Sequence, residues 1–185
     1  MSKENIINKM TKLSSPWADI GTILGQTSIS DYMFYLKKFK AKKGDMSRVH
    51  ELIMELAVYE KLPQEVEVNQ SDLVNDGFGE NPLFHCFVAE VNSKVEGMAI
   101  IYNRYSTWKG KTVHLEDLIV TKNMRNKGIG ALLLDKVILF GKQMNVKRIS
   151  WEVIDWNKKA IKDDQKFLAE QEKSETSETS ETQVN

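Results

Sequence analysis

The chain has 185 residues, of which 41% are hydrophobic and 28% are charged, and its formal net charge is zero. This length and composition predict one globular domain with room for a hydrophobic core. The balanced charge gives no general attraction to nucleic acid or to an anionic membrane, and no apolar run approaches the ~20 residues that a membrane span needs. We therefore expect no nucleic-acid partner and no membrane partner.

Cys86 is the only cysteine, which excludes an internal disulfide and favours a reducing compartment. No motif places a base beside its thiol, so we interpret Cys86 as a small buried strand residue rather than a nucleophile. The N-terminus has no apolar segment of the secretory type. A lysine excess within residues 1–17 is faintly typical of a transit peptide, but that segment has no arginine. We expect a cytoplasmic protein.

The first third of the chain predicts an extension, a strand and a helix. Residues 1–35 are expected to be a poorly ordered or loosely docked extension. A first strand is predicted over residues 36–42, and Asp45 is placed to cap a helix that follows at once. From Met46 onward apolar side chains recur at three- and four-residue spacing, which predicts a helix that packs on a sheet and ends near Leu62. The recurring side chains are Met46, Val49, Leu52, Ile53, Leu56 and Ala57.

The middle of the chain predicts a short helix and a hairpin. The helix is expected to begin at Ser71 and to end at a breaker formed by Asp76 and Gly77. The β-rich runs at 84–91 and 98–105 are joined through a polar turn, which predicts two antiparallel strands.

A strand, a helix and a second strand are predicted next. The strands cover residues 112–120 and 146–154, and the helix covers 129–144. Such a unit is connected right-handedly, so the two strands should be parallel. The helix is predicted to bury Ile129, Leu132, Leu133, Val137, Phe140 and Met144.

Residues 125–131 form a glycine-containing loop between the strand 112–120 and the helix. Without a Cβ atom, Gly128 and Gly130 let backbone N–H groups approach a phosphate, and the helix directs the positive end of its dipole at the same anion. The loop lies at the carboxyl end of a strand, where ligands bind in open α/β sheets. It lacks the Gly-Lys-Ser/Thr ending of a Walker loop. We predict a cofactor that carries a pyrophosphate.

The pattern Arg-x-x-Gly-x-Gly in this loop resembles the acetyl-CoA loop of the GNAT acetyltransferases. Five further segments resemble the diamine (spermidine/spermine and thialysine) acetyltransferase group; they are residues 76–82, 84–90, 105–110, 115–117 and 155–157. The resemblance covers about residues 36–161. It implies the mixed α/β GNAT fold, a central mixed sheet flanked by helices.

The resemblance also implies an enzyme. It would transfer acetyl from acetyl-CoA directly to the primary amine of a small polyamine, diamine or thialysine-like substrate, as a homodimer and without a metal. The implied cofactor-binding residues are Leu118, Ile119, Val120, Arg125, Asn126, Lys127, Gly128, Ile129, Gly130, Ala131 and Asn157. Arg125 and Lys127 have two interpretations, either as cations that contact phosphate oxygens or as solvated loop cations with no contact.

Glu116 is the candidate base. An alkylammonium group has a pKa near ~10.4, so transfer requires a group that removes a proton. From the pattern alone, two interpretations of Glu116 are about equally favoured, a catalytic base and a strand acid that faces water. The resemblance implies that Glu116 binds the substrate and removes its proton. Because strand side chains alternate, Glu116 and its neighbour Asp117 are expected on opposite faces of the sheet.

The amine site needs carboxylates and aromatic faces, because a cation that leaves water must be paired or stacked. Residue types and resemblance together nominate Tyr59, Glu60, Trp108, Glu116, Asp117, Ser150, Trp151 and Glu152. Each is also readable as a helix-terminal acid or a packed aromatic, and Trp151 is expected to be shared between core and cleft.

The sequence departs from the family pattern after Asn157. Asp164 occupies the position of an expected tyrosine, the presumed proton donor to the CoA thiolate. Residues 162–185 form a divergent tail with three Ser-Glu-Thr copies, expected to be disordered, so the two closing strands of the family cannot be built. The strand at 146–154 would then have an open edge. This departure leaves a second interpretation, a catalytically impaired relative that binds CoA or forms dimers and regulates.

Overall fold

A computed structural model describes residues 6–12, 40–158, 161, 162 and 165. Five strands form one sheet in the order β1-β5-β4-β3-β2. They are β1 (Ile6–Lys12), β2 (His85–Val91), β3 (Lys94–Ser106), β4 (Gly110–Val120) and β5 (Arg148–Ile154). β4 and β5 are parallel, and every other pair of neighbours is antiparallel. The predicted mixed sheet and the parallel pair are confirmed.

Three α-helices of the described residues flank the sheet: α1 (Met46–Tyr59), α2 (Gln70–Phe78) and α3 (Ile129–Gln143). α2 begins one residue before the predicted Ser71, because the side chain of Asn69 accepts hydrogen bonds from the first-turn N–H groups at 2.8 and 3.2 Å. Gly77 does not break this helix but lies inside it, and α2 ends at Phe78.

The β2–β3 hairpin is closed by a two-residue turn. Asn92 and Ser93 have φ values of 50° and 62°. Two consecutive left-handed residues match the twist of the flanking strands, which is the geometry of a type I′ turn. The hairpin predicted from the two β-rich runs is confirmed.

The sheet has a hydrophobic core on each face. The core under α3 includes Ala99, Ile101, Val113, Leu115, Leu133, Val137, Ile149, Trp151 and Val153. The core under α1 and α2 includes Met46, Val49, Leu52, Leu73, Cys86, Val88, Met98, Ile100 and Ile119. The buried position predicted for Cys86 is confirmed. Met144 was expected in the α3 core but is 41% exposed, because α3 ends at Gln143, and Phe140 is only partly buried.

β1 lies at the edge of the sheet beside β5. It belongs to residues 1–35, which were expected to be a poorly ordered or loosely docked extension, and it pairs antiparallel with β5 from Ile6 against Ile154 to Lys12 against Arg148. It covers the β5 edge that was expected to stay open, because an unpaired strand edge is a template for another strand. Within the described residues no strand follows β5.

Only the end of the predicted strand at 36–42 is described. Lys40 forms a single bridge with Phe87, and the N–H of Ala41 donates to the carbonyl of Cys86 at 3.1 Å. Asp164 and the Ser-Glu-Thr repeat lie outside the described residues.

Candidate active site

β4 and β5 separate from each other part-way along the sheet. Their pairing extends only from Val113 opposite Ile149 to Leu115 opposite Trp151. Beyond Leu115, β4 continues to Val120 beside β3 alone. The last five residues of β4 therefore present a backbone edge in the described part of the sheet, and this edge leads directly to the glycine-containing loop.

A β-bulge lies at the point of separation. In the register with β3, Leu115 is opposite Ile101 and Asp117 is opposite Ile100, so Glu116 is the extra residue. The bulge shifts the alternation of side chains. Leu115 packs in the core under α3, whereas Glu116 and Asp117 both lie on the other face, and the expectation of opposite faces is wrong.

An open pocket of about 360 Å³ lies on this face next to the bulge. We call it the acceptor pocket; its lining residues are Tyr102, Arg104, His114, Glu116 and Glu152. Glu116 and Glu152 were predicted. The other three were missed, although Tyr102 and His114 alternate with buried neighbours along their strands. Placing them in one pocket requires the register, in which Tyr102 is opposite His114 and His114 is opposite Ser150.

His114 links the pocket to the strand beneath it. Its side chain is buried, its Nδ1 lies 2.9 Å from the Ser150 hydroxyl oxygen, and its Nε2 lies 3.6 Å from a carboxylate oxygen of Glu116. The ring packs against Tyr102 at 5.2 Å between centroids. Burial lowers the pKa of His114 below its usual range and nearby Arg104 acts in the same direction, against the opposing effect of Glu116. The imidazole is therefore neutral at neutral pH.

Asp117 is the most perturbed carboxyl group near the pocket. Burial raises its pKa to about 7, and the negative charges of Glu116 and Glu60 add to the shift. Burial also raises the pKa of Glu60. Three acids thus gather between the end of α1 and the bulge, as expected of a site that accepts a cation.

An aromatic cluster lies at the end of α1. The rings of Tyr59 and Trp156 pack together with 5.4 Å between their centroids. The Arg125 guanidinium carbon lies 5.2 Å from the centroid of the Tyr59 ring. The Tyr59 hydroxyl donates to the Asn157 side chain at 3.4 Å. Tyr59 and Asn157, predicted for substrate and cofactor respectively, are therefore neighbours, and Arg125 joins them to the glycine-containing loop.

Residues 125–131, called the donor loop below, have the predicted strand–loop–helix arrangement. Gly128 precedes α3 with φ 78°, and Asn126 has φ 63°. The Arg125 Nε donates to the carbonyl of Val120 at 2.9 Å, which ties the loop to β4. The N-cap residue of α3 is Gly128, which has no side chain with which to cap the helix. A Cβ atom on Gly130 would have its nearest contact at 3.8 Å, so the backbone there is open to a ligand.

Two predicted substrate residues lie away from the acceptor pocket. Trp151 is 9% exposed and belongs to the core under α3, because it alternates with Ser150 and Glu152 along β5. Trp108 is 91% exposed at the turn between β3 and β4. Of the residues expected to pair with pantetheine, Leu118 is exposed and Ile119 is buried, so any contribution of Ile119 comes from its backbone.

Residues 46–166 match the family model described as Acetyltransferase (GNAT) family. The chain belongs to the GNAT acetyltransferase family. This GNAT chain is 40% identical over 130 residues to the thialysine N-epsilon-acetyltransferase of Bos taurus, a match that covers 66% of the chain and 76% of that relative. It is 35% identical over 136 residues to the human spermidine/spermine N(1)-acetyltransferase-like protein 1, with 70% of the chain and 20% of that protein covered.

The crystal structure of a tetramutant protein from Bacillus halodurans is also similar. It shares 26% identity and a TM-score of 0.55, over 66% of this chain and 86% of that one. The GNAT fold, membership of the diamine acetyltransferase group and the N-acetyltransferase activity predicted from the sequence are confirmed. The family uses acetyl-CoA. No helix among the described residues has the length and apolar character to cross a membrane.

Proposed function

We propose that this GNAT enzyme acetylates the primary amine of a small diamine, polyamine or thialysine-like substrate by direct transfer from acetyl-CoA. The observation that carries the proposal is the position of Glu116. It lies at the bulge where β4 separates from β5, between the acceptor pocket and the backbone edge that leads to the donor loop. A base at this junction reaches both substrates.

The chain has a backbone suited to the donor. The edge of β4 from Leu118 to Val120 has only β3 beside it, and such an edge pairs with an extended amide-containing chain such as pantetheine. The donor loop offers Gly128 and the N-terminus of α3 to the pyrophosphate. Tyr59 contacts both Asn157 and Arg125, and so brings Asn157 to the donor side of the site. Bound acetyl-CoA supplies the acetyl group as a thioester.

The acceptor side removes a proton and positions the amine. The Glu116 carboxylate accepts a proton from the ammonium group, directly or through water, and so leaves a neutral amine. Because His114 is neutral, it does not cancel the negative charge of Glu116. The amine nitrogen then bonds to the thioester carbon, and the carbon–sulfur bond breaks. The nitrogen loses its second proton as the amide forms, and one proton goes, directly or through water, to the departing thiolate. The proposal assigns stabilisation of the carbonyl oxygen to the backbone near Leu118, and it requires no covalent enzyme intermediate.

The substrate proposal draws on the two similar enzymes, which act by name on thialysine and on spermidine or spermine. Glu116 and Glu152 in the pocket wall give the site the negative charge that a cationic amine needs, and Glu60 and Asp117, whose pKa values are raised by burial, lie beside the bulge. A homodimer remains part of the proposal, and the cytoplasmic location stays a prediction. The alternative is a catalytically impaired relative with a regulatory role. One observation favours it, namely that Asp164 occupies the position of the expected tyrosine.

The test is acetylation by the purified full chain. Labelled acetyl-CoA is incubated with spermidine, putrescine, thialysine or a histone peptide, beside an otherwise identical Glu116→Gln preparation. We expect acetylation of at least one small amine, no acetylation of the peptide, and a strong loss with the variant. CoA binding without acetylation of any amine would instead establish the regulatory alternative.

A further inference from the structure

Arg104 is the unexpected member of the acceptor pocket. A site for a polyamine needs negative charge and aromatic surface, yet β3 places a guanidinium group on the pocket wall. The positive charge of Arg104 acts inside the pocket, since it contributes to lowering the pKa of His114. A permanent cation at this place repels a second ammonium group of the substrate and attracts an anionic group.

The charges of the lining match a diamino acid. Two carboxylates, Glu116 and Glu152, and one guanidinium, Arg104, line the pocket. A lysine-like amino acid carries the complement, two ammonium groups and one carboxylate. Spermidine brings three positive charges and no anion, so it leaves Arg104 facing a cation.

The spacing of Arg104 and Glu116 also suits an extended lysine-like amino acid. Arg104 is opposite Thr112, which lies four residues before Glu116 on β4. Four strand residues span about 13 Å, and both side chains extend into the pocket from the ends of that span. A terminal amine held at Glu116 thus leaves the α-carboxylate directed towards Arg104.

We propose that Arg104 binds the α-carboxylate of the acceptor and that the pocket selects a diamino acid over a polyamine. Glu116 receives the reacting terminal amine, and Glu152 pairs with the α-ammonium group. This inference rests on the proposed acetyltransferase function. Arg104 acts on selectivity and takes no part in proton transfer.

The test compares two acceptors that differ by one carboxylate. Thialysine and its decarboxylated counterpart, bis(2-aminoethyl) sulfide, are assayed with spermidine on the full chain and on Arg104→Gln, Arg104→Glu and Lys111→Gln. Lys111 is the control, because it is an exposed cation of β4 that alternation places on the opposite face of the sheet. CoA binding and thermal unfolding are measured for every variant.

We expect the unaltered chain to prefer thialysine over its decarboxylated counterpart by about 10-fold in kcat/KM. Arg104→Gln should raise KM for thialysine by about 10-fold with kcat nearly unchanged, and should leave the decarboxylated amine unaffected. Arg104→Glu should raise kcat/KM for spermidine. Lys111→Gln should leave kcat/KM for all three acceptors unchanged.

Equal use of thialysine and the decarboxylated amine by the unaltered chain would overturn the inference alone. An equal loss on both amines in Arg104→Gln would do the same. If no amine is acetylated by the unaltered chain, the proposed function fails, and the inference fails with it.

Discussion

The donor loop and the acceptor pocket are constructed in opposite ways. The donor loop is one continuous run between β4 and α3, and its shape depends on its own residues, such as the left-handed Gly128. The acceptor pocket takes its lining from three strands, β3, β4 and β5, and its key side chain, Glu116, owes its direction to a bulge in the pairing of β4 with β3. A site that binds its ligand through the backbone can therefore be predicted from a short stretch of sequence. The selectivity of the acceptor pocket cannot, because it depends on the register of the strands.

The largest effect is expected from Gly128→Val. A β-branched residue at φ 78° is strained by about 1–2 kcal/mol and places a side chain where the backbone must approach the pyrophosphate. CoA affinity measured by calorimetry should fall by about 100-fold or more.

Gly44→Ala is the matched control for this change. Gly44 lies outside the donor loop, its φ is not left-handed, and an added Cβ has no contact within 4 Å, so CoA affinity should change by no more than about 3-fold. Unchanged affinity in a folded Gly128→Val protein would show that the donor loop does not bind the pyrophosphate.

Glu116→Gln tests the acceptor side at its centre. If Glu116 removes the amine proton, kcat at pH 7.5 should fall by about 100- to 1000-fold. The loss should be smaller at pH 9.5, where more of the amine is already neutral. Steady-state rates at both pH values measure this; a loss of the same size at each would instead indicate a role in binding or structure.

Asp117→Asn tests the buried carboxyl group beside the bulge through its effect on stability. The pKa of Asp117 is raised to about 7 in the fold, above its unfolded value, so its favourable contribution is present at low pH and is lost as pH rises through about 7. The free energy of unfolding of Asp117→Asn relative to the unaltered chain should therefore increase by about 2 kcal/mol between pH 5 and pH 8. Urea unfolding at the two pH values measures it. A difference that is independent of pH would mean that Asp117 ionises normally.

The smallest effect is expected from Trp108→Ala. Its side chain is almost fully exposed at the β3–β4 turn and contributes nothing to the described pocket. The free energy of unfolding should change by less than about 0.5 kcal/mol, and kcat/KM by less than about 3-fold. Thermal melts and kinetics check both. A large loss of activity with normal stability would show that Trp108 serves a pocket in a partner subunit.

The elements predicted from periodicity were largely correct, because each depends on neighbours in the chain. α1, the β2–β3 hairpin and the parallel β4–β5 pair were all anticipated. The main error is long-range, because no local signal marks Ile6–Lys12 as the partner of β5. The errors at the ends of α2 and α3 are local and amount to one or two residues.

The predicted site residues divide in the same way. Glu116 and Glu152 line the pocket, but Trp151 faces the core under α3, and the faces assigned to Glu116 and Asp117 assumed a regular strand. Tyr102, Arg104 and His114 carry no motif. They meet only because β3 and β4 pair in one particular register.

The donor loop, the family and the crossover that sets the loop at the end of β4 could be predicted from the residues alone, because glycine positions and side-chain periodicity act over a few residues. The acceptor pocket could not, because it forms only when distant strands pair. One extra residue at Glu116 reverses the alternation of β4, and the pairing of three strands then brings Arg104 and Glu152 to the same pocket. Register is a property of the paired strands, so no single stretch of the chain contains it.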